Sequence, residues 1–187
     1  MFRNILIWPN QKLKAPNSSI ENVEDIQDLI KDLIDTCNVK MGAGLAAPQL
    51  GENKKVCVIK PGVFGIDNPD PSVYNPAYMV IINPELTNTG EDKKWKEGCL
   101  SIPDIDSFIV RKETTMLKYI SETGEEKKLV AEWPFSGGLQ HECDHLIGKL
   151  FIHRMEKRSA AFLLERWRNK KRKQEIKAKR ALKGTRR

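Results

Sequence analysis

Gln140-His141-Glu142-Cys143-Asp144-His145 is the stretch of this sequence that decides most about its fold and chemistry. The chain has only three histidines, and two of them stand here, four residues apart. Positions i and i+4 share one face of a helix, so His141 and His145 can offer two imidazoles to one metal ion. Glu142 then lies beside that ion, where it can handle a proton of a water molecule. The competing interpretation is a surface helix that carries histidine and acidic residues without binding a metal.

A catalytic metal site needs at least a third protein ligand and an open position for water. A third histidine at the metzincin spacing is excluded because position 151 is Phe151. Glu165 lies 20 residues after His145, which is the spacing of a zincin-like metalloendopeptidase, although two arginines beside it can pair with it. A third arrangement takes a cysteine from further upstream in the chain. The spacing of these residues leaves both ligand sets open.

The composition is that of a globular protein with one strongly basic end. The chain has 187 residues, of which 40% are hydrophobic and 30% charged, which is enough to bury a sizeable core. Residues 157–187 hold 14 lysines and arginines against two glutamates, a net charge of +12, whereas residues 1–156 carry −5. We therefore predict a catalytic domain over 1–155 and a basic helical extension over 156–187.

Nothing in the sequence predicts a membrane partner or an exported protein. No stretch approaches the ~20 continuous apolar residues of a membrane span, and Pro9 interrupts the apolar start too early for a signal peptide. The cysteines show no CxxC pairing, so we expect free thiols or ligands and a cytoplasmic location. They are Cys37, Cys57, Cys99 and Cys143.

Local patterns predict a mixture of helices and strands. Apolar residues at helical spacing from Val23 to Cys37 predict an amphipathic helix with a core-facing stripe. Runs rich in β-branched residues predict strands at 55–59 and 78–84, and a further strand is expected around 108–110. The segments 115–120 and 126–131 flank a glycine turn and predict a hairpin.

Two further helices are predicted in the C-terminal half. Ser136 is the expected N-cap of the helix that carries the two histidines, and Gly148 is its expected stop. Another helix is predicted from about Ser159 onward. Its expected docking residues are Ala160, Phe162, Leu163, Leu164 and Trp167.

Three motifs, in this order and at this separation, resemble the signature motifs of the peptide deformylases. They are Gly42–Gln49 (GAGLAAPQ), Glu97–Ser101 (EGCLS) and Gln140–His145 (QHECDH). The resemblance covers roughly residues 4–155. It implies an α+β fold in which antiparallel sheets pack around a central metal-binding helix, followed here by a basic C-terminal helix.

The resemblance also implies a reaction and a set of ligands. The reaction is the hydrolytic removal of the N-formyl group from the formylmethionine of newly synthesised polypeptides. Cys99, His141 and His145 would bind one divalent metal ion, typically Fe²⁺, with Zn²⁺ or another transition metal as a substitute. Glu142 would act as general acid and base for a metal-activated water. The Gln49 amide and the Leu100 backbone N–H would bind the oxyanion.

Substrate contacts and partners follow from the same resemblance. Residues implied in substrate binding are Gly44, Leu45, Glu97, Gly98 and Leu139. Gly137 and Gly138 depart from the family, which has larger aliphatic side chains there that help to wall the methionine pocket. The shape of that pocket therefore differs in this chain, and the basic extension is expected to contact the ribosome through its RNA.

The roles of four residues near the motifs are weighed by the same reasoning. Glu97 is expected to pair with a basic residue that the sequence does not identify. Asp144 is expected either to orient a histidine, to cap the helix or to lie exposed. Cys143 faces away from the two histidines and is expected in the core, and His153 is expected on the surface.

Overall fold

The computed structural model describes residues 1–184, without the side chains of residues 178 and 180–184. In this part of the chain, five antiparallel strands form one sheet in the order β1-β2-β3-β4-β5, accompanied by three α-helices. The α+β class predicted from the sequence is therefore confirmed. The strands are β1 Gly44–Ala46, β2 Val56–Ile59, β3 Met79–Cys99, β4 Ile102–Ile120 and β5 Glu126–Ala131, and the helices are α1 Gln27–Val39, α2 Phe135–Leu146 and α3 Lys157–Gly184.

The sheet is dominated by a long hairpin of β3 and β4, which are joined by the two residues 100–101. The predicted strands at 78–84 and 108–110 are only parts of these two strands. Most of residues 85–96 are charged or polar and at least partly exposed, so they lack the alternation of apolar residues that marks a strand. Cys99 is the last residue of β3 and pairs with Ile102 across the turn, which fixes its position at one end of the hairpin.

Strands β2 and β3 separate two layers of the core. Val56 and Val58 face the cluster that contains the apolar stripe of α1, as the helical spacing predicted. Cys57 and Ile59 face the opposite cluster, which contains α2. Because successive side chains of a strand point to opposite faces, this four-residue strand is buried from both sides. Helix α2 is thus held against the sheet by packing.

Helix α2 is buried at eleven of its twelve residues. Its N-cap is Pro134, so the prediction of Ser136 as N-cap is wrong. Ser136 lies inside the helix, and its buried hydroxyl donates to the backbone carbonyls of Lys112 and Glu113 in β4 at 3.1 and 2.6 Å. The predicted stop is confirmed, since α2 ends just before Gly148, whose φ of +70° favours glycine.

Helix α3 packs against the rest of the protein through residues in its N-terminal half. Trp167 packs edge-on against Trp8, with ring centroids 5.9 Å apart, and donates from Nε1 to the carbonyl of Pro103 at 2.7 Å. Phe162 was predicted to dock but is 62% exposed, with the guanidinium of Arg166 over its ring. Ala160, Leu163 and Leu164 are partly buried. No helix in the described part of the chain is both long and apolar enough to cross a membrane.

Candidate metal centre

Cys99, His141 and His145 form the one cluster of potential metal ligands among the described residues, and their donor atoms all lie within 4.8 Å of one another. Strand β3 supplies the thiol and α2 supplies both imidazoles. The Sγ atom of Cys99 is 3.4 Å from Nε2 of His145. Glu165, the alternative third ligand, is exposed on α3 and is not part of the cluster. The zincin-like ligand set is therefore wrong, because Glu165 offers no donor atom to this cluster.

The donor set suits a divalent transition metal ion. Burial disfavours the thiolate of Cys99, but the charge of His145 and a contact with His141 outweigh it and bring the thiol pKa down to about 5. A thiolate with two imidazoles is a set that Zn²⁺ and Fe²⁺ accept. The buried Nδ1 atom of His145 has no hydrogen-bond partner among the described residues.

A buried carboxylate orients the other histidine. Glu97 Oε2 lies 2.7 Å from Nδ1 of His141, on the opposite side of the ring from Nε2. Burial works against ionisation of Glu97, yet His141 and Arg111 lower its pKa to about 2. Trp95 Nε1 also donates to Glu97, at 2.7 Å. Oε2 of Glu97 therefore fixes the ring orientation of His141, one of the candidate metal ligands.

Arg111 is the basic partner of Glu97 that the sequence did not identify. Its guanidinium donates to both Glu97 oxygens, at 2.8 and 3.0 Å, and to Asp144 at 2.5 Å. It lies on β4 with the same parity as Ile109, which is buried. This spacing could have indicated from the sequence that Arg111 points inward, and an arginine on the inward face of a strand needs buried acidic partners.

Asp144 belongs to the same network. It is 4% exposed and accepts from Arg111 and from Nε of Arg154, the latter at 2.9 Å. Burial opposes ionisation, but Arg154 and Arg111 lower the pKa of Asp144. Neither capping of α2 nor direct contact with a histidine is its role, so the expectation for Asp144 is corrected. Its carboxylate instead ties α2 to β4 and to the turn that contains Arg154.

Glu142 is buried next to the three candidate ligands and keeps one oxygen free. Burial raises the pKa of its carboxyl group, and Oε2 has no hydrogen-bond partner among the described residues. A Cβ atom on Gly44 would lie only 2.5 Å from Oε1 of Glu142. The glycine at position 44 therefore allows the backbone of the loop to lie close to Glu142, because any side chain there would displace this carboxylate.

A cavity of about 960 Å³ opens in front of the cluster. Gln49 lines it and is held in place because its Oε1 accepts from the backbone N–H of Ala46 at 2.9 Å. Its Nε2 donates to Cys99 Sγ at 3.6 Å and to Ser101 Oγ at 3.1 Å. Further lining residues are Gly42, Gly44, Phe64, Trp95, Glu97, Gly98, Cys99, Leu100, Pro103, His141 and Glu142.

The structure places two of the predicted substrate-contact residues elsewhere. Leu45 and Leu139 are fully buried in the two core clusters and do not line the cavity, because their side chains point away from it into the sheet–helix interfaces. Cys143 is buried in the core, as expected. His153 is exposed, and its Nδ1 accepts from the N–H of Leu150 at 2.9 Å.

An α+β fold with a Cys-His-His cluster, a buried glutamate beside it and a cavity in front of both is the arrangement expected of a metal-dependent hydrolase. Comparison with known proteins gives the particular kind. The family model described as polypeptide deformylase matches residues 2–161. The chain belongs to the peptide deformylase family, the hydrolases that remove the N-formyl group from nascent peptides.

Individual relatives support the same assignment. The peptide deformylase of Aquifex aeolicus is 35% identical over 169 residues, which span 89% of this chain and 95% of that protein. The one from Wigglesworthia glossinidia brevipalpis is 37% identical over 150 residues. The crystal structure of the Legionella pneumophila peptide deformylase superposes with a TM-score of 0.80 at 31% identity, covering 93% of this chain and 98% of that one.

Proposed function

We propose that Cys99, His141 and His145 hold one divalent metal ion and that Glu142 moves the proton during deformylation. The observation that carries this proposal is the convergence of the three donor atoms within 4.8 Å, beside a buried and partly unpartnered carboxylate. When bound, the metal supplies Lewis-acid chemistry, which lowers the pKa of water from about 15.7 toward about 7. Fe²⁺ is proposed as the resident ion, with Zn²⁺ able to replace it.

Glu142 is proposed as the proton carrier of the reaction. In the hydrolysis, a water oxygen forms a bond to the formyl carbon and the carbon–nitrogen bond breaks, so one proton must pass from water to the departing amine. The raised pKa of Glu142 favours uptake of the proton from water before its transfer to the departing amine. Packing against Gly44 keeps its carboxylate aimed along the cavity wall.

Gln49 and the backbone N–H of Leu100 are proposed to stabilise the oxyanion. Both residues line the cavity beside Cys99. The side-chain amide of Gln49 cannot rotate freely because Ala46 anchors its oxygen, so its N–H groups are preorganised toward the site. Preorganised donors stabilise developing negative charge without having to reorient during the reaction.

The peptide part of the substrate is proposed to lie along β1. Strand β1 is at one edge of the sheet and pairs only with β2 among the described strands. Gly42 and Gly44 line the cavity on this side, and Gly98 lines it on the side of β3. An extended peptide can therefore add a strand there through backbone hydrogen bonds.

Measurement of formate release from a formyl-Met peptide tests the ligand set, with and without a chelator. Cys99→Ala is expected to abolish metal retention and activity, since a thiolate ligand is lost. Glu165→Ala is the control and is expected to leave both unchanged. Full metal retention by Cys99→Ala, together with metal loss in Glu165→Ala, would contradict the proposed centre.

We also propose that residues 1–155 form the catalytic domain and that 156–187 form a basic extension which binds the ribosome. Residues 185–187 of that extension lie outside the described residues. Beyond the ion pair of Lys171 with Asp104, at 2.9 Å, the side chains of residues 172–177 are exposed. A net charge of +12 on residues 157–187 suits a polyanion such as ribosomal RNA. We therefore also propose that the enzyme works in the cytoplasm, at the source of its substrates.

Co-sedimentation with ribosomes at low and high salt tests the extension. A chain truncated after Lys171 keeps Trp167 docked and loses the exposed basic residues. The full chain is expected to sediment with ribosomes at low salt and to be released at high salt, whereas the truncated chain stays in the supernatant. Equal sedimentation of both chains at low salt would contradict ribosome binding.

A further inference from the structure

One end of the cavity is walled by aromatic rings that have no part in the proposed proton transfer. Phe64 and Trp95 both line the cavity, and their ring centroids are 6.0 Å apart. Phe135 packs against Phe64 at 5.7 Å, and Trp133 packs edge-on against Trp95 at 5.2 Å. The indole of Trp95 is further fixed by its hydrogen bond to Glu97. This end of the cavity is therefore apolar and rests on a rigid base.

Two consecutive glycines of α2 leave room for these rings. A Cβ atom on Gly138 would lie 2.7 Å from Cε1 of Phe64, and one on Gly137 would lie 3.1 Å from Cζ2 of Trp95. A glycine inside a helix costs about 1 kcal/mol relative to alanine, so two in succession require a reason. The reason here is that aromatic rings pack directly on the helix backbone.

This arrangement lies one helical turn from the metal-ligand candidates. Gly138 precedes His141 by three residues and Glu142 by four, so the three positions share one face of α2. One turn of an α-helix rises about 5.4 Å. A substrate with its formyl group at the metal centre therefore brings its first side chain within reach of the Phe64 ring. The wall that this side chain meets comes from a surface turn instead of from α2.

We propose that Phe64 is a specificity-determining residue, which fills the place that a side chain at position 138 would take and reads the first side chain of the formyl peptide. The site then selects an unbranched apolar side chain, and it favours a thioether because sulfur packs well against an aromatic ring. This inference rests on the proposed function of the neighbouring metal centre. Phe64 is then the group that gives the deformylase site of this chain its preference for methionine.

The turn that carries Phe64 is suited to substitution experiments. Phe64 ends the 3₁₀ turn Pro61–Phe64, and Val63 beside it is 60% exposed. Cβ atoms on Gly62 and Gly65 would meet no neighbour within 4 Å. Phe64 packs against the core cluster that contains α2 without being one of its buried members, so a change of Phe64 alters the cavity wall and leaves the buried members in place.

The test compares kcat/KM for formyl peptides that differ only in the first residue: methionine, norleucine or phenylalanine. The metal-loaded wild type is expected to prefer methionine over norleucine by roughly two- to tenfold, as a sulfur–aromatic contact predicts. In Phe64→Leu that ratio falls towards one, while Phe64→Ala loses roughly tenfold on the methionine peptide and gains relative activity on the phenylalanine peptide. Phe108→Leu, a change of an exposed phenylalanine outside the cavity, keeps the wild-type ratios.

Position 138 gives the reciprocal test. Gly138→Ala alone is expected to raise KM for the methionine peptide, because the new methyl group displaces the Phe64 ring. In the Phe64→Ala background the same change is expected to have a much smaller effect, so the two substitutions are non-additive. Metal content and Tm confirm that each variant is folded. Unchanged side-chain ratios in both Phe64 variants, or additive effects at 64 and 138, would overturn the inference, whereas formate release by the wild type reports separately on the metal centre.

Discussion

Helices α2 and α3 each present a glutamate, Glu142 and Glu165, but they place it in opposite surroundings. Helix α2 is buried at eleven of twelve positions, whereas on α3 only Trp167 is buried among the described side chains. Packing on every side fixes the direction of Glu142 and raises its pKa. Glu165 stands in water, where no neighbour constrains it. The difference shows that a sequence spacing which suits a ligand is not sufficient, because chemistry requires a side chain held by its neighbours.

The largest expected effect tests this contrast between the two glutamates. Glu142→Gln is expected to lower kcat for deformylation by about 10²–10⁴-fold, because the amide cannot carry the proton. The metal is retained, since Glu142 is not a proposed ligand. The matched change Glu165→Gln is expected to leave kcat within the error of the assay. Steady-state kinetics with parallel metal analysis measure both, and comparable losses in the two variants would remove Glu142 from its role.

The next effect concerns stability and compares two arginines. Arg111→Met breaks a buried network of which both acidic partners, Glu97 and Asp144, are almost inaccessible to solvent. Uncompensated buried charges cost about 3–5 kcal/mol, so the free energy of unfolding should fall by that order. Arg172→Met on the exposed part of α3 should change it by less than about 0.5 kcal/mol. Urea unfolding of both variants decides whether the α2 side of the molecule depends on this network.

A smaller effect is expected where α3 joins the body. Trp167→Ala removes the contact with Trp8 and the hydrogen bond to Pro103, and should cost about 3 kcal/mol, the low end for a buried tryptophan. The loss should appear first as faster tryptic cleavage after residue 157, because α3 detaches locally. Phe162→Ala, on the same helix but exposed, should leave the cleavage rate unchanged. Equal cleavage of both variants would mean that Trp167 does not hold α3.

The smallest expected effect lies in the turn between the two helices. Burial first, and the charge of Lys14 second, lower the pKa of His153, whose Nδ1 accepts a hydrogen bond from Leu150. A lowered folded pKa means that the unfolded chain binds the proton more readily. The stability contributed by neutral His153 is therefore present above the ordinary pKa of about 6.5 and is lost as pH falls through the folded pKa.

Replacement of this residue isolates its share of the pH dependence. His153→Gln should unfold with a shallower loss of stability than the wild type as pH falls below about 6.5. The difference should stay below about 1 kcal/mol because water reaches part of the side chain and screens its charge. Thermal unfolding across pH 5–8 measures it, and identical pH profiles for the two proteins would rule out this contribution.

Several elements of the fold could be predicted because their signals are local. The stripe of α1, the short strand β2 and the stop of α2 at Gly148 depend on residues within one or two turns of each other. The middle of the β3–β4 hairpin could not be predicted, because exposed charged residues there pair across strands and leave no apolar period. The prediction of Ser136 as N-cap was wrong for a related reason. Its hydroxyl donates to backbone carbonyls of β4, which lie more than 20 residues away in the chain.

The sequence by itself determined that two imidazoles and a glutamate share one helix face, because helical geometry fixes the i, i+3 and i+4 relations. The motif resemblance then pointed to Cys99 and to deformylation. Only the tertiary structure decided that Glu97, Arg111 and Asp144 form one buried network behind His141, and that Phe64 occupies the space left by Gly138. These contacts join residues 14 to 74 positions apart. Their partners are chosen by how the sheet and α2 pack, and that choice has no local signal in the chain.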